Sequence, residues 1–237
     1  MKRIFISTVP FEGPALNLLD QSGLEYTVNP TGRKLSASDV GALSMGYDGL
    51  IAGTEDIKTV LVLSKCLKII SRVGVGLDNV PLDLCVDLGI KVTTTPEAVT
   101  DAVAEYTVGL MLAGLRNIIP AFAKMNAGIW DKNVGKQLSE CCVGIVGYGR
   151  IGKAVGNLLI MFGCKVQFYD IDKQDHPQQV GWQKLLRTSD VITLHVPLNQ
   201  RTKQMISYSE MKLMKEGCLI INTSRGGIVN ESSLNPK

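Results

Sequence analysis

The chain has 237 residues, 45% of them apolar and 20% charged, which allows one large or two small domains and excludes a disordered chain. Its 25 basic and 22 acidic side chains leave a formal charge of only +3, so charge gives no case for nucleic acid or an anionic membrane as partner. The most apolar uncharged stretch, residues 106–115, falls well short of the roughly 20 residues that span a bilayer.

In chain order, short β-branched runs alternate with amphipathic stretches. Strands are expected at 3–9, 49–53, 68–72, 91–94, 142–146, 165–169, 190–195 and 218–222. Helices are expected at 14–21, 57–64, 81–87, 101–127, 151–162, 182–187 and 208–214. This alternation predicts an α/β fold with parallel sheets. The basic start Lys2-Arg3 runs straight into the first strand with no long apolar region or cleavage site, so a cytoplasmic location is expected. The alternation breaks once, at 101–127, a long helical pattern in which Pro120 should kink or break the helix. That segment predicts two domains, 1–97 and 98–237, with a ligand-binding cleft between them.

Cys66, Cys85, Cys141, Cys142, Cys164 and Cys218 form no C-x-x-C pair, and only His176 and His195 are available to help, so no metal site is expected. Small, reduced, apolar fillers are the better reading of these thiols than a redox switch at the adjacent Cys141-Cys142.

The sharpest local signal is G-x-G-x-x-G, as Gly147, Gly149 and Gly152, between an expected strand and an expected helix. In that setting the first glycine makes the turn, the second admits a pyrophosphate, and the third lets helix and strand pack closely. The helix end at Arg150 and Ile151 offers free N–H groups and a favourable dipole to the anion. Asp170 closes the next strand, 18 residues past Gly152, where an acid accepts hydrogen bonds from an adenosine ribose and repels a 2′-phosphate. NAD is therefore expected over NADP. A methyltransferase is the weaker rival, because its glycine loop usually lacks the third glycine.

Residues 70–116, the 147–170 unit, and Ile221-Asn222-Thr223-Ser224-Arg225-Gly226-Gly227 together resemble the D-isomer-specific 2-hydroxyacid dehydrogenases, phosphoglycerate dehydrogenase branch foremost. The resemblance spans essentially the whole chain. It implies two Rossmann-like or flavodoxin-like domains, the first binding substrate and the second NAD. It also implies hydride transfer between C2 of a 2-hydroxy acid and the coenzyme. Ser71-Arg72-Val73-Gly74-Val75-Gly76-Leu77-Asp78-Asn79 matches the family's substrate loop, with the amides of Val75 and Gly76 on the substrate carboxylate and Val75 also near the coenzyme. Arg72, Gly74 and Asn79 belong to that substrate-binding set. Arg150 and Ile151 match the pair along the pyrophosphate. His195, Val196 and Pro197 match the loop beside the adenosine. Thr223 and Ser224 match the nicotinamide segment. Arg225 matches the catalytic arginine, whose planar cation would also lie beside the coenzyme.

The family's histidine–glutamate pair lies downstream of that arginine, and this chain ends 12 residues past Arg225. A C-terminal truncation is accordingly expected, with an incomplete second domain, an unpaired sheet edge and low intrinsic activity. An NAD-binding or partner-binding remnant of the family is the alternative function. The ending at 231–237 departs from the family's helical pattern there. Ile51-Ala52-Gly53-Thr54 lacks the arginine that the phosphoglycerate branch often carries, so a phosphorylated substrate is left open. The apolar segment 117–130 matches the family's dimerisation arm, which implies a homodimer.

Overall fold

The computed structural model describes residues 2–132 and 134–234. The chain divides into two compact units, Met1–Val99 and Thr100–Lys237.

The first unit is a five-stranded parallel sheet in the order β2-β1-β3-β4-β5. Its strands are β1 (Arg3–Ile6), β2 (Glu25–Val28), β3 (Gly49–Ala52), β4 (Ile69–Arg72) and β5 (Lys91–Thr94). Helices α1 (Pro14–Ser22), α2 (Ala37–Leu43), α3 (Lys58–Leu63) and α4 (Leu82–Asp87) make the crossovers. Central β3 is buried along nearly its whole length, as a strand covered on both faces must be. Phe5, Leu50, Ile57, Val60 and Ile70 fill the core at 0–1% exposure. Each contributes roughly 1.5–3 kcal/mol by leaving water.

Two elements of this unit escape the periodicity reading. Edge strand β2, Glu-Tyr-Thr-Val, alternates exposed and half-buried residues and has no apolar run. Helix α2 contains Ser and Gly, but its start carries a legible signal. Ser36 Oγ accepts from the Asp39 amide and Asp39 accepts back from the Ser36 amide, a reciprocal cap.

The second unit opens with α5 (Thr100–Leu115) and α6 (Ile118–Asn126). Then come β6 (Cys142–Val146), α7 (Arg150–Met161), β7 (Lys165–Tyr169), α8 (Trp182–Thr188), β8 (Val191–Leu194), α9 (Tyr208–Met211) and β9 (Leu219–Asn222). Its four strands are parallel in the order β7-β6-β8-β9, which leaves β9 at an edge. Ala104, Val108 and Met111 of α5 join Val155 and Leu159 of α7 over one face of the sheet. On the other face, Leu185 and Leu186 of α8 pack with Ile192, Leu194, Ile206 and Ile228.

The helix break is displaced from its expected place. α5 and α6 meet at 62°, and the turn is made at Asn117, with φ 53°. Asparagine tolerates that left-handed conformation. Pro120 then sits in the first turn of α6, where its missing N–H costs nothing. Among the described residues no single helix is long and apolar enough to cross a membrane. At the chain's end, Glu231–Ser233 form a 3-10 turn, and the rest of the expected non-helical ending, 235–237, lies outside the described residues.

Candidate functional site

In the second unit the crossover goes from β6 to β7 on one side and then to β8 on the other, so the switch point lies between β6 and β8. Loops at the carboxyl ends of parallel strands are where such sheets bind ligands. The glycine loop 147–149 stands there. The Gly147 amide donates to the Tyr169 carbonyl, 2.8 Å away, and the His195 amide to the Val146 carbonyl, also 2.8 Å. Gly147 has φ 87°, and a Cβ on it would come within 2.6 Å of the His195 carbonyl oxygen. A Cβ at Gly152 would come within 2.1 Å of the Gly147 carbonyl oxygen, so this glycine lets α7 close on the loop. Around Gly149, by contrast, a Cβ would meet nothing within 4 Å. Open space over the middle glycine is the cradle that a pyrophosphate needs. Gly149 caps α7 without a side-chain hydrogen bond, which leaves the amides of Arg150, Ile151 and Gly152 facing the cradle.

Asp170 follows β7 as expected. Its Oδ2 accepts from the Tyr148 amide at 2.7 Å, and its Oδ1 from the Asp172 amide at 3.1 Å. A carboxylate has capacity for about four hydrogen bonds, so two sites stay available for ribose hydroxyls. The Tyr148 ring is turned away from the cradle and stacks on Phe168 at 3.8 Å. Sequence reading did not single out Tyr148, whose amide fixes the carboxylate's orientation. These features fit an NAD-type dinucleotide.

His195 Nε2 lies 3.0 Å from Thr193 Oγ1. Burial lowers its pKa to about 4, which keeps the imidazole neutral at pH 7. Val196 is half-buried and Pro197 exposed on the same loop. His176 is exposed and edges onto Phe168, 5.2 Å between centroids.

The segment after β9 is tightly held. The Ser224 hydroxyl donates to the Leu194 carbonyl at 2.6 Å, which ties this loop to β8. Asn222 spans the turn: Oδ1 accepts from the Ser224 amide and Nδ2 donates to the Arg225 carbonyl. Thr223 Oγ1 lies 3.0 Å from Oγ1 of Thr107, a fully buried residue of α5. Arg225 Nη1 donates to the Ser224 carbonyl at 2.9 Å. Arg225 lines a cavity of about 440 Å³ together with Asn222, Thr223, Ser224 and Glu231. Asn222 and Thr107 were not foreseen. An Asn at a strand's end, ready to bridge its own turn, was the readable signal for the first. Pairing of Thr107 with Thr223, 116 residues away, had none.

The first unit holds its own loop, at the carboxyl end of β4. Gly74 has φ 125°, a backbone state in which a side chain is strained. Its amide donates to Thr95 Oγ1 at 2.8 Å and its carbonyl accepts from the Thr95 amide at 3.1 Å. Val75 is 43% exposed and Gly76 half-buried, which leaves this stretch accessible. Arg72 is only 5% exposed, and a Cβ on Gly74 would come within 2.6 Å of its guanidinium, so Arg72 packs against the loop's backbone. Asn79 Nδ2 donates to the carbonyls of Gly53 and Glu55, at 3.1 and 2.6 Å, and so ties the far end of the loop to the turn after β3.

All six cysteines are free thiols. Burial raises the pKa of Cys85, Cys141, Cys142 and Cys164, and that of Cys218 to about 11. Such thiols stay protonated and unreactive.

Comparison with known proteins agrees with this geometry. Residues 108–236 match the family model "D-isomer specific 2-hydroxyacid dehydrogenase, NAD binding domain". A hydroxypyruvate reductase of Thermotoga maritima is 39% identical over 188 residues, covering 77% of this chain and 61% of its own length. A D-3-phosphoglycerate dehydrogenase of Archaeoglobus fulgidus is 32% identical over 235 residues, covering 95% of this chain and 44% of its own length. The chain therefore spans about half the length of these curated relatives. A protein of Thermus thermophilus of known crystal structure superposes with a TM-score of 0.91 at 32% identity, covering 98% of this chain and 76% of that one.

Proposed function

The chain belongs to the D-isomer-specific 2-hydroxyacid dehydrogenases and carries their NAD-binding domain, and on that premise we propose that it takes part in NAD-dependent oxidation and reduction of a small 2-hydroxy or 2-oxo acid. The observation that carries the reading is the open cradle over Gly149, backed by the α7 amides and flanked by Asp170. NAD supplies a hydride acceptor for C2 of the acid. Arg225, on a loop fixed by Asn222 and Ser224, polarises the C2 oxygen and steadies the carboxylate. In the first unit, the Val75 and Gly76 amides hold a carboxylate on the loop clamped by Thr95, Arg72 and Asn79. Reduction adds a proton at the C2 oxygen, and oxidation removes one. His195 is not assigned that step: its half-buried ring is neutral at pH 7 and lies 3.0 Å from Thr193 Oγ1.

Homodimer formation is part of the proposal. Ile118, Ile119, Phe122, Met125, Ile129 and Trp130 are each at least half exposed along α6 and just beyond it, an apolar face on an otherwise mixed surface. A cytoplasmic metabolic role fits the reduced cysteines.

A second reading is NAD binding without turnover. It is favoured by the two histidines among the described residues, His195 beside Thr193 and His176 beside Phe168, each engaged with a neighbour in its own unit. Titration with NADH, followed by turnover assays with 2-oxo acids, separates the two. Saturable binding with turnover supports the dehydrogenase, binding alone supports the second reading, and no binding overturns both.

A further inference from the structure

The loops that follow β1, β3, β4 and β5 of the first unit carry one sign of charge. After β1 (residues 7–13) the only charged residue is Glu12, and after β3 (53–57) they are Glu55 and Asp56. After β4 (73–81) it is Asp78, and after β5 (95–99) it is Glu97. No lysine or arginine lies in any of these four loops. The basic pair Arg33-Lys34 follows β2, the outermost strand on the far side of β1. Arg72, the last residue of β4, is buried against the Gly74 backbone and presents no cationic surface.

Glu55 adds a second, independent observation. It is 2% exposed, and its Oε2 accepts from the Gly53 amide at 2.7 Å. That amide, at the carboxyl end of β3 and beside the switch point between β1 and β3, is the donor a nest would offer to a second anion. Here an internal carboxylate has taken it. The turn is then closed by Asn79, which binds the Gly53 and Glu55 carbonyls.

We propose that the acid held at the 73–79 loop carries no second anion: it is a short 2-oxo or 2-hydroxy acid whose third carbon is absent or bears hydrogen or a hydroxyl, not a phosphate ester. This rests on the reading of the chain as a 2-hydroxyacid dehydrogenase. A phosphate dianion arriving here meets acidic side chains on four loops, finds no lysine or arginine on those loops, and finds the Gly53 amide occupied by Glu55. A hydroxyl or a hydrogen avoids all three penalties.

The test is calorimetry on the full chain with NAD⁺ present, so that 2-oxo acids form ternary complexes without turnover. Glyoxylate, hydroxypyruvate and 3-phosphohydroxypyruvate are the probes. Tighter binding of the unphosphorylated acids, by tenfold or more, is expected. Equal or tighter binding of the phosphorylated acid overturns the inference and leaves the dehydrogenase reading standing. Binding of NAD⁺ with no acid bound overturns the dehydrogenase reading and this inference together. Thr54→Arg places a cation on the exposed tip of the Glu55 turn. It should strengthen 3-phosphohydroxypyruvate at least fivefold at low salt, leave glyoxylate unchanged, and lose the gain in 0.5 M salt. An unchanged preference in that variant shows that loop charge does not set it, and overturns the inference.

Discussion

Gly149 and Gly152 belong to one motif yet do different jobs, and alanine at each separates binding from folding. At Gly152 the new Cβ would lie 2.1 Å from the Gly147 carbonyl oxygen and 3.3 Å from Ile145 Cγ2. Ordinary contact begins above 3.4 Å, so α7 must retreat from the loop by more than an ångström. Overpacking against side chains costs about 1–3 kcal/mol, and backbone on both sides of this contact puts Gly152→Ala near the top of that range. About 3 kcal/mol lowers the melting temperature of a unit this size by roughly 10 °C. At Gly149 φ is −76° and a Cβ enters open space, so Gly149→Ala should melt with the parent chain. Its methyl group stands in the cradle and should weaken NADH at least tenfold, about 1.4 kcal/mol. Thermal denaturation and a fluorescence titration with NADH check both halves. Refutation would come from a Gly149→Ala chain that binds NADH like the parent, or a Gly152→Ala chain that melts like it.

His195 has a pKa lowered by burial to about 4, against 6.5 for an ordinary histidine. Between those values the unfolded chain binds a proton that the folded chain refuses, so stability falls as pH drops from about 6.5 to about 4, by about 3 kcal/mol. His195→Gln should remove that part of the slope in urea denaturation across this range, and an unchanged slope would show that His195 is not its source. Asp190 loses hydration on burial, which alone would raise its pKa. The Cys142 amide and the Lys136 and Lys215 ammoniums outweigh that and hold it at about 2. It therefore stabilises the fold above pH 4, and the contribution is lost as pH falls from about 4 to about 2. Asp190→Asn should cost about 2 kcal/mol at pH 7, with a gap to the parent that narrows toward pH 2. For the proposed dimer arm, Phe122→Asp together with Trp130→Ser should shift the mass measured by light scattering from dimer to monomer; a parent chain that is already monomeric contradicts the arm.

Much of this molecule is written locally. Runs such as Cys142–Val146 and Gly49–Ala52 are short and apolar because both faces of those strands are covered, and they are found where periodicity puts them. β2 and α2 were not legible in the same way, since an edge strand need not be apolar and α2 is specified by its cap more than by its pattern. Pro120 marked a break in the helix, but Asn117 makes it, because a proline is tolerated in a first turn and the left-handed residue before it is what redirects the chain. Asp170 and the three glycines were readable because dinucleotide binding uses backbone geometry at fixed spacing.

The sequence by itself determined the parallel α/β class, the position of the phosphate loop and the acid that follows it, all of which depend on neighbours within about 25 residues. Only the tertiary structure decided that Tyr148 turns its amide to Asp170, that Thr107 meets Thr223, that Ser224 ties its loop to Leu194, and that Asn79 closes the turn at Gly53. Those outcomes depend on which strands lie side by side and on which polar group, once removed from water, finds a partner across the sheet. A linear pattern does not encode that pairing, because a buried donor is satisfied by whatever acceptor the fold brings near it.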